Sequence, residues 1–576
     1  MSQRYLFICS LGPVQGFIAA ARSSRDLAYG SWLLSELAKT AARVIADKEG
    51  LQALVFPAPE SSEALSSHSE LSVANKVVAV VSGDIESLAG DIRQAVKKYL
   101  LREWEQIEAK FGSDVDRELA RKQIQDLPEF YWAAAPLPSE DTYRRARALC
   151  EEALAARKAT RDFSPFKGRS RKSRFKSSID GVREHVLTRI PDYASNPNRE
   201  QMEHYRLRNG ELLSGVDLLK RWGELPQKVR YQSTSHMAAL PFMEGLGDTK
   251  AEELYRDLVE LFKQHGPKNL MDHVDDYSVL YPYEVRAALS RKDRDRQRRV
   301  LREQEEILTR YAGTKRPGIY YALLVADGDH MGKVIDAQQT PEDHRKLSRA
   351  LSEFARDVPW IVKKFRGVPV YAGGDDVFAY LPLHTAIECV QELAESFRQK
   401  LAAFTIEENG KKISPTLSAG LVIAHHQDPL SEVLDLARRT EKAAKMVPGK
   451  NALAITLNKR SGSERQIRGN LSQLVNRLKT IRGWWLNQFL SKGVSYEYMQ
   501  LAQMENVLPP EALQAEAIRI LKRKKASGGK DIPKEVMTTL RTWIMDSRIS
   551  LQELAQEMIV AAELARAKQL AQGGTP

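Results

Sequence analysis

Two acidic segments of the chain carry the residue types that two-metal phosphoryl transfer requires. Residues 371–380 place Gly-Gly-Asp-Asp between two short apolar runs, and residues 327–332 read Asp-Gly-Asp-His-Met-Gly. Glycines suit the positive-φ positions of a hairpin turn and let a triphosphate approach the backbone, while carboxylates are hard ligands for Mg²⁺. Together, Asp327, Asp375 and Asp376 would bind two Mg²⁺ or Mn²⁺ ions, one activating a 3′-hydroxyl and one neutralising the leaving pyrophosphate. We therefore predict that these three carboxylates are catalytic.

The strands and helices predicted around these acids indicate how they would meet. The pattern is β-α-β-β-α-β with one further α-β unit, which is typical of a ferredoxin-like palm. The predicted elements are strands 318–326, 368–372, 377–381, 413–424 and 452–457 and helices 341–364, 386–404 and 431–446. Because the first and third strands of this fold are neighbours, Asp327 should face Asp375 and Asp376. Gly328 adjoins this position and is counted with the predicted metal ligands.

Several residues beside the acids are candidate nucleotide contacts. Gly373 and Gly374 form the turn itself, where a triphosphate would approach the backbone. Lys445 ends a predicted helix and Lys450 lies in the following Pro-Gly-Lys-Asn turn, from which both could reach phosphates. A lysine near a helix C-terminus, followed by glycine, is equally common as a capping pattern, so both interpretations stay open. His330 could contact a base or sugar, although a lone histidine beside a strand end is more often packed or solvated.

The composition indicates a multidomain protein with a polyanionic partner. The chain has 576 residues, and 87 Lys and Arg against 75 Asp and Glu give a net charge of +12, which favours nucleic acid or nucleotides but also fits an ordinary solvated surface. Its three cysteines are far apart and form no CxxC pair, which argues against a disulfide framework. With no signal peptide and no apolar run of roughly 18 residues, we expect a cytoplasmic location and no membrane partner.

In these motifs, their spacing and their order, the chain resembles the large polymerase/cyclase subunit of type III CRISPR effector complexes, in particular the type III-B (Cmr) branch. The segments that resemble its second palm are GGDD, DGDHMG, residues 417–420 (Leu-Ser-Ala-Gly) and residues 459–462 (Lys-Arg-Ser-Gly). Those that resemble its first palm are residues 12–17, 22, 25–27, 30–31 and 233–239. The resemblance extends to about residue 465, and the helical tail fits the family only in character.

This resemblance implies an enzyme that converts ATP into cyclic oligoadenylate, a second messenger, when guide RNA in a multisubunit Cmr complex pairs with target RNA. By the same analogy the first palm binds a second ATP without metal ligands, and the two palms share one composite site. In agreement, no acidic turn like GGDD precedes residue 327. The resemblance adds Gln15 and Arg22 of the first palm and Ser418 of the second to the predicted nucleotide contacts.

Two departures from the family pattern bear on function. Many relatives begin with an HD nuclease domain, whereas this chain starts on the first palm strand and contains no His-Asp dipeptide, so we expect no HD-type DNase activity. Relatives also often carry a four-cysteine zinc site between the palms. Residues 176–181 (Lys-Ser-Ser-Ile-Asp-Gly) stand where Lys-Cys-x-x-Cys-Gly would be expected, and residues 211–214 (Glu-Leu-Leu-Ser) lack the other cysteines. We therefore expect no zinc, because its ligands are missing.

The predicted fold class is α+β, with two ferredoxin-like palm domains of the nucleotidyl cyclase type, a helical insertion domain and a C-terminal helical bundle. The predicted regions are a first palm in residues 1–156, an insertion that replaces the zinc-binding region and returns to the first palm in 157–250, a helical connector in 251–312, the GGDD palm in 313–464 and the helical domain in 465–576. The insertion opens with a basic stretch at 157–176, which is typical of a loop.

Two other functions remain as alternatives. A diguanylate-cyclase-like enzyme would use a similar acidic hairpin, but such enzymes work as homodimers of one palm, whereas this chain is expected to carry two. A non-catalytic scaffold would bind RNA through the basic insertion and the Lys-Arg-Lys-Lys run at 522–525. The intact acids at all three predicted metal positions count against the scaffold.

Overall fold

The computed structural model of the chain describes residues 3–160, 175–188, 211–225, 232–265, 276–283, 286, 294–408, 410–460, 462–526, 529–546 and 548–574. Most of the basic stretch at 157–176 and part of the predicted connector lie outside these residues. Two sheets covered by helices are followed by C-terminal helices. No helix in the described ranges is both long and apolar enough to cross a membrane.

The first domain is built on a four-stranded antiparallel sheet in the order β2-β3-β1-β4. Its elements are β1 (Arg4–Gly12), α1 (Gln15–Ala19), α2 (Ser24–Glu49), β2 (Leu54–Phe56), β3 (Lys76–Ser82), α3 (Ile85–Glu108), α4 (Arg117–Gln125), β4 (Glu129–Pro136) and α5 (Tyr143–Ala159). Because successive strand residues face opposite sides, Phe7 and Cys9 pack with α2 and α3, whereas Leu6 and Ile8 pack with α5. β1 is therefore a nearly continuous apolar run.

Helices connect this domain to the second sheet. They are α6 (Gly215–Trp222), α7 (Thr234–Leu246), α8 (Asp248–His265) and α9 (Arg294–Ala312). α6 packs against α2 of the first domain. The other three share one apolar core, in which Phe242 of α7 meets Leu258 of α8 and Leu308 of α9. The stretch predicted to be helical and charge-rich thus contains α8 and α9.

The second sheet has six strands in the order β12-β11-β10-β5-β7-β6. Its strands and the helices between them are β5 (Tyr320–Gly328), α10 (Met331–Ala337), α11 (Pro341–Lys364), β6 (Val368–Gly373), β7 (Asp376–Leu381), α12 (Ala386–Lys400), a separate hairpin of β8 (Ile406–Glu408) and β9 (Lys411–Ile413), then β10 (Leu417–His425), α13 (Leu430–Lys445), β11 (Ala452–Leu457) and β12 (Arg465–Asn470). The neighbours β10-β5-β7-β6 follow the ferredoxin-like order, which confirms the predicted palm fold. β11 runs parallel to β10 and comes from the additional α-β unit.

The two faces of the second sheet pack against different partners. Leu324 and Ala326 of β5 face a core that includes α11 and α12 and continues into the C-terminal helices. Tyr321 and Leu323 face α13 and also residues at the start of α2, including Leu27. The first domain therefore packs directly on the back of the second sheet, in which β5 lies at the centre.

A second contact between the domains is polar. The hydroxyl of Tyr143 in α5 lies 2.7 Å from Nδ1 of His344 in α11, and the backbone N–H of Ala58 donates to the hydroxyl of Ser348 at 3.0 Å. Arg345 donates to the carbonyl of Leu54 at 2.9 Å. These bonds fix the position of one palm relative to the other.

The sequence did not predict four short strands. β2, β8 and β9 have three residues each, too few for a period-2 pattern to be recognised. β12 lies in a stretch predicted to be helical, but its pairing with β11 extends the sheet beyond residue 464. Helices α14 (Leu471–Leu486), α15 (Lys492–Ala502), α16 (Pro510–Arg523), α17 (Lys534–Met545) and α18 (Leu551–Ala571) follow, as predicted for the C-terminal region.

Candidate active site

The GGDD segment forms the tight turn between β6 and β7, as predicted. Gly373 pairs with Asp376 across the hairpin, so that Gly374 and Asp375 occupy its tip. Gly374 has a φ of +66°, a conformation that favours glycine. Gly373 leaves room for the ring of Tyr371, because a Cβ at this position would lie 2.1 Å from the tyrosine oxygen. Both glycines therefore have a structural reason in addition to their predicted role in nucleotide binding.

The strand order brings Asp327 next to this hairpin. β5 lies between β7 and β10, with Ala326 paired to Val377 on one side and Asp327 paired to Ser418 on the other. Gly328 makes the close approach possible, because a Cβ there would lie 2.9 Å from the Cβ of Asp375. Asp327, Asp375 and Asp376 therefore lie together at one end of the neighbouring strands β5 and β7.

Lys445, at the end of α13, reaches the same end of these strands. Its ammonium forms an ion pair with the carboxylate of Asp327 and lies 3.4 Å from Oε1 of Glu441, one helical turn earlier. Burial, followed by the charge of Lys450, lowers the pKa of Lys445 to about 8. Lys450 lies in the turn after α13 with a φ of +53°. The sequence left two roles open for Lys445, helix capping and phosphate binding. In the structure this lysine contacts Asp327, a predicted metal ligand.

The hairpin carboxylates differ in exposure, since Asp375 is half-buried and Asp376 is exposed, but the pKa of each is raised. The surrounding protein displaces water and raises the pKa of Asp375 to about 6. The same displacement of water, followed by the charges of Asp375 and Glu441, raises the pKa of Asp376 to about 7. Such raised carboxyl pKa values are characteristic of functional sites, where a bound cation or proton would offset the negative charge.

The donor set fits Mg²⁺ or Mn²⁺, because carboxylate and carbonyl oxygens are the ligands that these hard cations prefer. Within the described ranges, however, no three His, Cys, Asp or Glu side chains already surround one point as metal ligands. Asp327 is paired with Lys445 instead. A metal ion bound by Asp327 would repel this ammonium and favour its displacement.

We call the space bordered by Asp327, Asp375, Asp376 and Lys445 the cleft. A buried network beside it contains an acid that the prediction did not include. Asp329 is fully buried, and its Oδ2 accepts hydrogen bonds from the hydroxyls of Thr416 and Ser418, both at 2.8 Å, and from the backbone N–H of Asn451 at 3.0 Å. It thereby ties β5 to β10 and to the turn that carries Lys450. The Asp-Gly-Asp pattern offers both aspartates as ligands, and only burial separates them.

The other predicted nucleotide contacts occupy different places. Ser418 is fully buried within the Asp329 network, so its predicted contact with nucleotide has no exposed surface in this conformation. His330 is half-buried, has a φ of +62° and precedes the first turn of α10. Gln15 is exposed in the first domain, and its carbonyl accepts from Arg438 of α13 at 3.4 Å. It therefore lies near the helix that carries Lys445.

Arg22 lies among residues of the insertion rather than beside Asp327. Its guanidinium donates to the carbonyl of Ser178 at 3.1 Å and lies 3.6 Å from the carboxylate of Glu211. The side chain is 40% exposed, which leaves part of it accessible. Its predicted contact with nucleotide stays a prediction.

The positions compared above with zinc-binding cysteines are linked by hydrogen bonds. The hydroxyls of Ser177 and Ser214 both donate to Oδ2 of Asp217 at 2.6 Å, and all three side chains are buried. Glu211 pairs with Arg221 at 2.7 Å. Asp217 therefore joins two separate segments of the insertion.

The absence of zinc stays a prediction, which follows from the missing cysteine ligands. Elemental analysis of the purified chain is expected to give far less than one zinc per molecule. A stoichiometric zinc that survives dialysis against a chelator would contradict it.

Taken together, the two sheets and the GGDD hairpin define a protein with two palm domains, one of which carries this acidic hairpin. The family model described as "Cas10/Cmr2, second palm domain" matches residues 320–454, and that described as "CRISPR-associated protein Cmr2, N-terminal" matches residues 6–109. In these two segments the chain matches the Cas10/Cmr2 family.

Individual relatives agree with this assignment. The CRISPR system Cmr subunit Cmr2 of Pyrococcus furiosus is 27% identical over 543 residues, which is 78% of this chain and 61% of that protein. The chain thus spans less than two thirds of its relative's length. The Cmr2 of Saccharolobus solfataricus is 30% identical over 109 residues, which is 17% of this chain and 10% of that protein.

Solved structures of low sequence identity share the fold. A chain of the type III-B Cmr-beta complex in its apo state has a TM-score of 0.63 at 14% identity, with 93% of this chain and 78% of that chain covered. The Cmr-beta complex bound to cognate target RNA gives a TM-score of 0.65 at 13% identity, with 98% and 83% covered. The fold of this chain, with its two sheets, is therefore similar to that of the matched chain in each of these complexes.

Proposed function

We propose that this chain is the subunit of an RNA-guided type III-B effector complex that makes cyclic oligoadenylate from ATP by two-metal phosphoryl transfer when target RNA is bound. The observation that carries the proposal is the meeting of Asp327 with the Asp375 and Asp376 hairpin at one sheet edge, beside Lys445. Phosphoryl transfer needs mainly positioning and charge stabilisation, which such a group of residues supplies.

The proposed roles follow from the position of each side chain. Bound by Asp327, the carbonyl of Gly328, Asp375 and Asp376, Mg²⁺ or Mn²⁺ would activate the 3′-hydroxyl and neutralise the pyrophosphate. Lys445, released from Asp327, would hold phosphate oxygens as a point charge.

Gly374, Lys450 and His330 complete the proposed cleft. Gly374 presents no side chain at the tip of the hairpin, which leaves the backbone open to a triphosphate. Lys450 directly precedes Asn451, whose backbone N–H donates to Asp329, and in this proposal its ammonium binds the same phosphates. His330 borders the cleft at the end of β5 as a candidate base or sugar contact.

In this proposal the first palm binds the second ATP without metal ligands. Gln15 supports the assignment because it sits beside α13, the helix that ends in Lys445. The first domain also packs directly on the second sheet, which is what a composite site requires. Two palms in one chain favour this function over a diguanylate-cyclase-like enzyme, in which two copies of one palm would meet.

The proposed partners are ATP, guide RNA and target RNA, the last two through the assembled complex. The Pyrococcus relative is a Cmr subunit, and one structure of the same fold is a Cmr-beta complex with cognate target RNA. The net charge of +12 is compatible with such partners. The cytoplasmic location stays a prediction.

The test is nucleotide turnover by the purified chain and by the reconstituted complex. Radiolabelled ATP or GTP with Mg²⁺ or Mn²⁺ would be incubated with and without matched target RNA, and the products identified by mass spectrometry. Cyclic oligoadenylate from ATP is expected. A cyclic guanylate dinucleotide would establish the diguanylate-cyclase alternative, and no turnover of either nucleotide in a complete, RNA-bound complex would establish the scaffold.

A further inference from the structure

Glu441 is a fourth carboxylate at the proposed cleft that motif reading did not single out. It lies on α13, four residues before Lys445, and its Oε1 is 3.4 Å from the lysine ammonium. Its side chain is 13% exposed, and Oε1 is buried without a hydrogen-bond partner among the described residues. Exposed ion pairs at this spacing are common on helices and contribute little. This pair is different, because its side chains are only 27% and 13% exposed and the ammonium also contacts Asp327.

Close packing of α13 on the sheet places Glu441 there. Gly420 of β10 lies directly under the helix, because a Cβ at residue 420 would be 2.3 Å from the backbone nitrogen of Glu441. The carboxylate is close enough to the hairpin for its charge to help raise the pKa of Asp376. Within the described part of the chain, Lys445 therefore has two acidic partners: Asp327, which the proposed metal needs, and Glu441, which it does not.

We propose, on the basis of the function proposed above, that Glu441 is a positioning residue that receives Lys445 when a divalent cation takes Asp327. An ammonium and a divalent cation on one carboxylate repel each other, so metal binding at Asp327 would displace Lys445 from it. A second carboxylate one helical turn away keeps the ammonium beside the cleft, where phosphates arrive. Without Glu441, Asp327 would be the only acidic partner of Lys445 among the described residues, and the lysine would compete with the metal.

The test is a double-mutant cycle read out by metal binding. Mn²⁺ affinity of the purified full-length chain would be measured by calorimetry for wild type, Glu441→Gln, Lys445→Met and the double variant. We expect Glu441→Gln to weaken Mn²⁺ binding about fivefold when Lys445 is present and by less than about twofold in the Lys445→Met background, a coupling usual for contacting residues. Glu441→Asp should restore part of the loss.

Two further measurements separate positioning from general effects. In the RNA-bound complex, Glu441→Gln should raise the KM for ATP at limiting Mg²⁺ more than it lowers kcat. Glu432→Gln removes the same charge from an exposed position of the same helix and should match wild type. Equal thermal midpoints for all variants would show that the fold is intact.

The outcomes are distinct. An equal loss of Mn²⁺ affinity in both lysine backgrounds would overturn the inference, because Glu441 would then act on the metal directly. Unchanged affinity in Glu441→Gln would also overturn it while leaving the proposed enzyme standing. Failure of the wild-type chain to bind Mn²⁺ at all, in the presence and absence of ATP, would overturn the proposed metal site and this inference together.

Discussion

At the scale of single residues, the cleft is a concentration of negative charge balanced by very few cations. Asp375 and Asp376 have raised pKa values, and the Lys445 ammonium is shared between Asp327 and Glu441. A site arranged in this way costs stability when it is empty, and the divalent cation proposed to bind there would relieve that cost. Such local conflicts are expected at functional sites.

The first prediction concerns activity. Asp375→Ala combined with Asp376→Ala should abolish product formation, a loss of at least a thousandfold, because it removes two proposed metal ligands. The hairpin tip buries little apolar surface, so folding and assembly should be unaffected. Product analysis and gel filtration of the complex check the two parts. Synthesis that persists with Mg²⁺ would refute the assignment of these ligands.

The second prediction concerns stability and pH. Because both carboxyl groups have a folded-state pKa above the ordinary value of about 4, they bind protons more readily in the folded chain. Their contribution to stability therefore falls as the pH rises from about 4 to about 7. Without metal, Asp375→Asn with Asp376→Asn should have a higher Tm than wild type at pH 8 but not at pH 4.

Calorimetric melting with and without Mg²⁺ checks this expectation. Mg²⁺ should raise the Tm of wild type and leave that of the double asparagine variant unchanged, because only the wild type binds the ion. A variant less stable than wild type at pH 8 would contradict the argument, since it would mean that the charged carboxylates stabilise the metal-free fold.

At the scale of elements, the site depends on close approach between strand and hairpin and between strand and helix. Gly328 admits the hairpin and Gly420 admits α13. Asp329 then ties β5, β10 and the turn after α13 together through three hydrogen bonds. Oδ1 of Asp329 is buried without a hydrogen-bond partner among the described residues, so the network is only partly satisfied.

The third prediction compares two glycines four residues apart. Gly328→Ala places a Cβ 2.6 Å from Cγ of Met331 and 2.9 Å from Cβ of Asp375, so the hairpin must shift and activity should fall at least tenfold. Gly332→Ala is the matched control, because nothing lies within 4 Å of its Cβ. It lies within α10 and should keep activity while stabilising the helix by up to about 1 kcal/mol. Thermal melts and ATP turnover distinguish them, and equal activity would contradict the proposed close approach.

At the scale of the whole molecule, the two palms are held in one arrangement by apolar and polar contacts. Leu27 of α2 packs on the second sheet, and Tyr143, His344 and Ser348 take part in hydrogen bonds between the domains. The C-terminal helices continue the core of the second domain. A partner that contacts either domain can therefore influence the cleft through a continuous packed structure.

The fourth prediction is that activity depends on bound RNA. A hundredfold activation requires matched target RNA to favour the competent arrangement by about 2.7 kcal/mol, a modest amount for a large ribonucleoprotein interface. Initial rates would be compared for the isolated chain, the guide-loaded complex, and the complex with matched or mismatched target. Equal rates in all four would leave the cyclase chemistry standing but remove its RNA control.

The sequence by itself determined the palm fold and predicted that Asp327 lies beside the GGDD hairpin. Period-2 and period-3.6 patterns located the long elements, and glycine next to aspartate marked the hairpin, because these signals depend on local conformation. Strand order then placed Asp327 beside Asp375 and Asp376. Short strands such as β12 escaped prediction because pairing with a neighbour, rather than local preference, makes them strands.

Only the tertiary structure decided what each charged group contacts. Asp327 and Asp329 are equivalent in the sequence pattern, yet one reaches the cleft and the other is buried in a network. Lys445 meets Asp327 because Gly420 lets α13 lie directly on β10, whereas its contact with Glu441 follows from their spacing of four residues on the same helix. Burial, ion pairing and pKa depend on distances between segments far apart in the chain. Those distances are fixed by packing, which no local pattern encodes.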